Sequence, residues 1–165
     1  PEAIRNAGAH LALPVIRELA LLSSDVRSAL CMPQSDVVAR WGDTYECVMW
    51  DLAAGSHELL AHIDPDLVVS VVPNTVRAAA VAKRVSGELR VRRHGLVVRT
   101  IAGAGIEPME IAELLDIPLW GVVPSDSRVV EQVEQGLGPA AINLGGFTRA
   151  VTAIVDRLVD HAPER

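Results

Sequence analysis

Residues 95–136 decide the fold prediction, and they read GLVVRTIAGAGIEPMEIAELLDIPLWGVVPSDSRVVEQVEQG. Two short apolar runs in this stretch, 95–100 and 119–124, are each followed by a turn and then by a helical pattern. Both runs are nearly continuous rather than alternating, and each contains two adjacent valines. That pattern is typical of strands that are buried on both faces of a parallel sheet.

The same unit recurs towards the N-terminus. Residues 46–52 (ECVMWDL) and 67–73 (LVVSVVP) are further strand candidates, and 18–23 (ELALLS) is an earlier one. The order of run, turn and helix predicts an α/β fold, a mostly parallel sheet with helices on both faces. A length of 165 residues fits a single domain, 1–165.

The predicted helices carry recognisable start and stop signals. Asn74 or Thr75 caps one helix, Glu107 with Pro108 opens another, and Asp126 caps a third that ends at Gly136. A last helix covers 147–160, and shorter ones are expected at 33–42 and 57–63. The predicted apolar faces are Val81, Val85 and Leu89; Ile111, Leu114 and Leu115; Val129, Val130 and Val133; and Phe147, Val151, Ile154 and Leu158.

The composition excludes several classes of protein. Half of the residues are apolar and 22% are charged, which argues against intrinsic disorder. The net charge of −6 and the 3% of aromatic residues argue against specific or general nucleic-acid binding. No apolar run approaches the ~20 residues of a membrane span. Cys31 and Cys47 show no ligand spacing and suit a reducing compartment, so we expect a cytoplasmic protein.

Ligands of parallel sheets bind beyond the carboxyl ends of the strands. We therefore expect any site at that edge. The predicted strand ends carry Asp51, the Pro73–Asn74 pair, the Arg99–Thr100 pair and residues 124–126.

Two of these segments resemble a known family. DLAAG at 51–55 resembles the Walker B segment, D-x-P-A-G, of MinD/ParA-type P-loop ATPases. Residues 95–136 resemble the C-terminal half of that family, in which a strand ending in Asn-Arg leads to an I-P-x-D loop and a helix. The nearest likeness is to the CpaE/TadZ branch and to actinobacterial septum site-determining proteins, and it covers about 18–160.

The resemblance implies a P-loop NTPase-like fold, incomplete at its N-terminus, and a site for ATP and Mg²⁺. The residues that would form this site also have purely structural interpretations. Asp51 is then a turn-forming aspartate, Arg99 forms a salt bridge at the sheet rim, and residues 124–126 are a strand end, a turn and a helix cap. By resemblance, Asp51 holds the magnesium-bound water, Gly55 closes the Walker B-like motif, Arg99 lies near the nucleotide base, and Pro124, Ser125 and Asp126 follow the edge of the base.

Three departures from the family limit what the resemblance implies. Ala53 replaces the family proline, and Val98 rather than asparagine precedes Arg99. The chain shows no Walker A loop, and its one lysine, Lys83, follows no glycine-rich segment. We therefore predict that this chain alone neither binds ATP tightly nor hydrolyses it. We also expect the 46–52 strand to pair with a missing N-terminal half or with a second copy in a homodimer.

The implied function is that of a spatial regulator, which positions pilus or secretion machinery or regulates cell division through protein partners. The alternatives are an active ATPase whose Walker A half is missing, and a nucleotide-free protein-binding module. The basic residues between 84 and 94 form a cluster that could bind DNA. We favour a structural role, because cations are stabilised at the C-terminus of a helix. The mixed charges of the last helix favour packing on the sheet, with at most peripheral membrane contact.

Overall fold

A computed structural model describes residues 15–16, 19–20, 47–52, 60–89, 91–103, 105–136 and 145–161. The chain divides after Ile63 into two compact units, and each is described by itself. The prediction of a single domain stays a prediction. No helix in the described ranges is both long enough and apolar enough to cross a membrane.

The first unit differs from the strand predictions. Its strands β1 (Val15–Ile16) and β2 (Leu19–Ala20) pair antiparallel, so the expectation that 18–23 joins the parallel sheet is wrong at Leu19–Ala20. The reason is geometric: two strands this close in sequence can be joined only by a tight turn, whereas a parallel pair needs a crossover of a dozen or more residues. The first unit also holds α1 (Leu60–Ile63), the end of the helix expected at 57–63.

The prediction of a strand at 46–52 is wrong for residues 47–52, the part that the structure describes. Residues 47–52 form no strand, and the Met49 side chain in their centre is 78% exposed. Apolar composition alone does not make a strand, because a strand requires a ladder of hydrogen bonds to a neighbour. Glu46, residues 57–59 and the helix expected at 33–42 lie outside the described residues.

The second unit is the predicted α/β structure. Along the chain it contains β3 (Val68–Pro73), α2 (Val76–Glu88), β4 (His94–Arg99), α3 (Pro108–Leu115), β5 (Leu119–Val123), α4 (Ser127–Glu134) and α5 (Gly146–Asp160). The three strands form a sheet in the order β3-β4-β5, and both pairings are parallel. The parallel-sheet prediction is therefore confirmed for the runs at 67–73, 95–100 and 119–124.

One face of this sheet packs on α2 and α3. Leu96 and Val98 of β4 and Ile111 of α3 are the largest fully buried side chains. Helix α2 turns small residues towards this core, of which Ala79 is 1% exposed. Because the alanines occupy that side of the helix, Val81 remains 44% exposed, contrary to prediction. Leu114 of α3 is likewise 48% exposed, whereas Ile111 and Leu115 are buried as predicted.

The other face of the sheet packs on α5. Side chains alternate along a strand, so Gly95, Val97 and Arg99 of β4 point away from the α2–α3 core. Gly121 of β5 pairs with Val97, and a Cβ built on Gly121 would lie 2.6 Å from Cγ1 of Ile154. A glycine at this position is what allows α5 to approach the sheet closely. Helices thus cover both faces, as predicted.

The ends of the helices follow the signals in the sequence. Thr75 caps α2 by accepting a hydrogen bond from the Ala78 N–H at 3.2 Å. Glu107 opens α3 with a capping box that Glu110 completes. After α4, Gly136 adopts a φ of +72°, which is the left-handed conformation that glycine tolerates best.

Candidate ligand cleft at the strand ends

A cleft of about 340 Å³ lies at the carboxyl ends of β4 and β5. Most of its wall is apolar and comes from Val123, Pro124, the valines of α4 and Phe147 at the start of α5. Two of those valines, Val130 and Val133, are 51% and 57% exposed, although the sequence predicted a buried stripe. They remain exposed because they face the cleft rather than the core.

The structure brings four of the predicted site residues together. Arg99 ends β4 and lines the cleft, and Pro124, Ser125 and Asp126 follow β5 along the same wall. This agrees with the expectation that ligand-binding residues gather at the carboxyl edge. Asp51 belongs to the first unit and is exposed, and Gly55 lies outside the described residues. The role of each residue in binding a ligand stays a prediction.

Asp126 is engaged by its neighbour in the helix. Its carboxylate accepts a hydrogen bond from the Arg128 backbone N–H at 3.0 Å, and two more from the Arg128 guanidinium at 2.9 and 2.6 Å. The hydrogen bond from the guanidinium, followed by that from the backbone, holds the pKa of Asp126 below its usual value. The same contact raises the pKa of Arg128. Asp126 therefore caps α4 and pairs with Arg128, which leaves Arg99 as the cation that the described part of the chain presents to the cleft.

Asn74, which the sequence placed at a strand end and offered with Thr75 as a helix cap, is a structural residue of this edge. It is 6% exposed, its Oδ1 accepts from the Ile101 N–H at 2.6 Å, and its Nδ2 donates to the Ile106 carbonyl at 3.3 Å. Its own backbone N–H donates to the Arg99 carbonyl at 3.0 Å. Asn74 thus joins the end of β3 to both ends of the 101–106 loop. The signal in the sequence was a second polar residue beside Thr75, which already supplies the helix cap.

Thr100 continues this network to the cleft. Its Oγ1 accepts a hydrogen bond from the Ser125 N–H at 3.3 Å, and its backbone N–H donates to the Val123 carbonyl at 3.0 Å. Asn74 forms hydrogen bonds to Arg99 and Ile101, the two neighbours of Thr100. The ends of β3, β4 and β5 are therefore connected by hydrogen bonds. The cleft therefore sits on a fixed edge.

A serine–histidine pair lies away from the cleft. Ser70 Oγ and His94 Nε2 are 2.8 Å apart, and burial lowers the pKa of His94. His94 begins β4 whereas Arg99 ends it, a separation of about 16 Å at the usual rise of a strand. The pair satisfies a half-buried imidazole, and neither residue lines the cleft.

Comparisons with known proteins match the fold. No protein-family model and no curated protein sequence matches the chain. Among solved structures, it is similar to the MinD cell division protein of Aquifex aeolicus, with a TM-score of 0.58, 20% identity, 68% of this chain and 50% of that chain covered. It is also similar to the MinC:MinD cell division protein complex of the same organism, with a TM-score of 0.66, 19% identity, and 79% and 60% covered. The chain has a MinD-like fold. It spans 50–60% of the length of those chains.

Proposed function

We propose that this chain is part of a spatial regulator of the MinD/ParA kind, which acts in the cytoplasm by docking to protein partners and to itself. The finer proposal is the CpaE/TadZ or septum site-determining type, which positions pilus or secretion machinery or regulates cell division. Support comes from the MinD-like fold and from a solved neighbour that is a complex of two cell division proteins.

The observation that carries the proposal is the make-up of the cleft. Its apolar wall and the guanidinium of Arg99 suit a flat, partly apolar group such as an aromatic side chain or a base. The resemblance implies ATP and Mg²⁺, but the described residues do not fit a triphosphate with its metal ion. The chain's one lysine, Lys83, is exposed on α2, and α2 packs on the face of the sheet opposite to that of Arg99.

A docking role follows from this fit. Burying an apolar group of a partner against the valines and the phenylalanine of the cleft wall would contribute most of the binding free energy. Arg99 would add a directional polar contact beside it. The second candidate is a nucleotide-regulated ATPase, which is favoured by Asp51 in its DLAAG motif and by the MinD-like fold. Calorimetry separates the two. We expect the 165-residue chain to show no micromolar affinity for ATP with Mg²⁺, whereas such an affinity that is lost in Asp51→Ala would favour the ATPase.

Localisation in cells tests the positioning role. We expect the chain, fused to a fluorescent protein in a rod-shaped bacterium, to concentrate at a pole or a division site. Val130→Lys places a charge in the cleft wall and should disperse the signal, whereas Val155→Lys is the matched control. Val155 is 48% exposed on α5, against 51% for Val130, and it does not line the cleft. Uniform fluorescence of the unaltered chain would contradict the proposal.

A further inference from the structure

Asn74 is a buried polar residue between β3 and α2. It is 6% exposed, and the start of α2 already has a cap in Thr75, whose side chain accepts from the Ala78 N–H. The Asn74 side chain instead bonds the loop after β4, where it accepts from the Ile101 N–H and donates to the Ile106 carbonyl. Burying an amide costs free energy unless its polar atoms find partners. The contacts of the side chain therefore indicate a role at the loop rather than at the helix.

Asn74 holds the two peptide planes that flank the Cα atom of Thr100. The Asn74 N–H donates to the Arg99 carbonyl at 3.0 Å, and that carbonyl belongs to the plane before Thr100. The Asn74 Oδ1 accepts from the Ile101 N–H at 2.6 Å, and that N–H belongs to the plane after Thr100. Because peptide units are planar, holding both planes restricts φ and ψ of Thr100. The direction of the Thr100 Cα–Cβ bond is restricted with them.

Thr100 carries this constraint to the wall of the cleft. A β-branched side chain has few accessible rotamers, so the position of the Thr100 Oγ1 follows from the direction of the Cα–Cβ bond. That oxygen accepts a hydrogen bond from the Ser125 N–H at 3.3 Å. Ser125 lines the cleft between Pro124 and Asp126, whereas Asn74 itself does not line it. A side chain at the end of β3 is therefore linked to a cleft residue that follows β5, two strands away.

We propose that Asn74 is the positioning residue of the cleft, acting through Thr100 to hold Ser125 and the backbone of Arg99 in place. The cleft wall is then ordered before an occupant binds, so less conformational entropy is lost on binding. This rests on the proposed function only in taking the cleft as the docking site. The positioning is a property of the free chain, whereas the docking function is tested by the localisation of Val130→Lys. The two can therefore fail separately.

Amide exchange measured by NMR on the full 165-residue chain tests the positioning. Asn74→Ala removes the acceptor of the Ile101 N–H and should speed exchange of the Ser125 amide roughly fivefold or more. In the part of the chain that the structure describes, no hydrogen bond joins Asn74 to Ser125 directly. The rate is expressed relative to that of the Leu89 amide, which donates to the Ser86 carbonyl at the far end of α2. A change in global stability affects both amides.

Two further variants separate positioning from stability. Thr75→Ala removes the α2 cap and should destabilise the fold, but it should leave the ratio of the Ser125 and Leu89 rates unchanged. Asn74→Asp keeps an acceptor for the Ile101 N–H but sets a carboxylate against the Ile106 carbonyl, which loses its donor. This variant should also be less stable than the unaltered chain, yet it should keep the Ser125 amide protected. A purely stabilising role would not separate Asn74→Asp from Asn74→Ala.

Thr100→Val tests the route through Thr100. It removes the acceptor of the Ser125 N–H but keeps a β-branched side chain, so Ser125 should exchange faster, and adding Asn74→Ala should cause no further increase. An unchanged rate ratio in Asn74→Ala would overturn the proposal, as would an equal increase in Thr75→Ala. So would an Asn74→Asp variant that exchanges as fast as Asn74→Ala, or an effect of Asn74→Ala that persists in Thr100→Val.

Discussion

Gly95 of β4 is the position at which adding one methyl group should do the most damage. A Cβ built there would lie 2.5, 2.6 and 2.9 Å from three atoms of the Trp120 ring. Cβ atoms in proteins do not approach other heavy atoms closer than 3.0 Å, so one of the two must move. Trp120 is 7% exposed and packs against the His161 ring, with a centroid separation of 4.7 Å and the ring planes tilted by 42°. The ring cannot retreat without breaking that contact.

The expected magnitude follows from two opposing terms. Overpacking a well-packed site costs about 1–3 kcal/mol. Without such a clash, replacing glycine by alanine within a strand stabilises the folded state by roughly 0.5–1 kcal/mol, because alanine loses less backbone entropy on folding. The difference between these terms spans about 0–2.5 kcal/mol. Because the built Cβ comes within 2.5 Å of the ring, we expect Gly95→Ala to lower the free energy of unfolding by an amount in the upper half of that range.

Urea unfolding followed by circular dichroism measures this change, and Gly87→Ala is the control. Gly87 lies in α2 and is exposed, and no heavy atom stands within 4 Å of its built Cβ. The same substitution there should raise the free energy of unfolding by about 0.5–1 kcal/mol. The two variants should thus shift the urea midpoint in opposite directions. Trp120→Leu, which removes the ring, should reduce the penalty of Gly95→Ala in a double-mutant cycle. Equal shifts for Gly95→Ala and Gly87→Ala would refute the proposed packing of Gly95 on Trp120.

Three further predictions concern Asn74, His94 and Thr75, which lie at the ends of strands and helices. Asn74→Ala leaves the Ile101 N–H without its acceptor, so it should cost about 1–3 kcal/mol and speed exchange of the Ile101 amide; exchange at the native rate would contradict this role. Burial lowers the pKa of His94, so the unfolded chain binds the proton more tightly, and stability should decline as the pH falls below about 6.5. Urea midpoints at pH 5 and 7.5 measure that decline. His94→Gln should make the difference between the two midpoints smaller, whereas Ser70→Ala should still be less stable at pH 5 than at pH 7.5. Thr75→Ala removes the cap of α2 and should cost about 1 kcal/mol, whereas Thr75→Ser should retain most of the stability; thermal unfolding of both variants is the check.

Local signals in the sequence predicted most of the second unit. Strand positions followed from valine-rich runs, and the helix starts at Thr75, Glu107 and Asp126 followed from side chains that bond their own backbone. These interactions span only a few residues, so they can be recognised without knowledge of the tertiary structure. Grouping Arg99 with residues 124–126 also followed from sequence, because parallel strands place their carboxyl ends at one edge.

The predictions that failed depend on partners distant in the sequence. Residues 47–52 have a strand-like composition but form no strand, because a strand exists only where another supplies its hydrogen bonds. Val81, Val85 and Leu89 were predicted to form the inward face of α2, but Val81 is 44% exposed. The residues of α2 that pack on the core are Ala78, Ala79 and Ala82.

For this protein, the sequence by itself determined the parallel α/β arrangement of residues 67–124, the helix caps and the residues at the carboxyl edge. Only the tertiary structure decided that Asn74 ties the 101–106 loop to β3, and that Gly95 and Gly121 make room for Trp120 and Ile154. The physical reason is the range of the interactions. Propensities and caps act within one or two turns of the chain, whereas packing and sheet pairing join residues that are more than twenty positions apart.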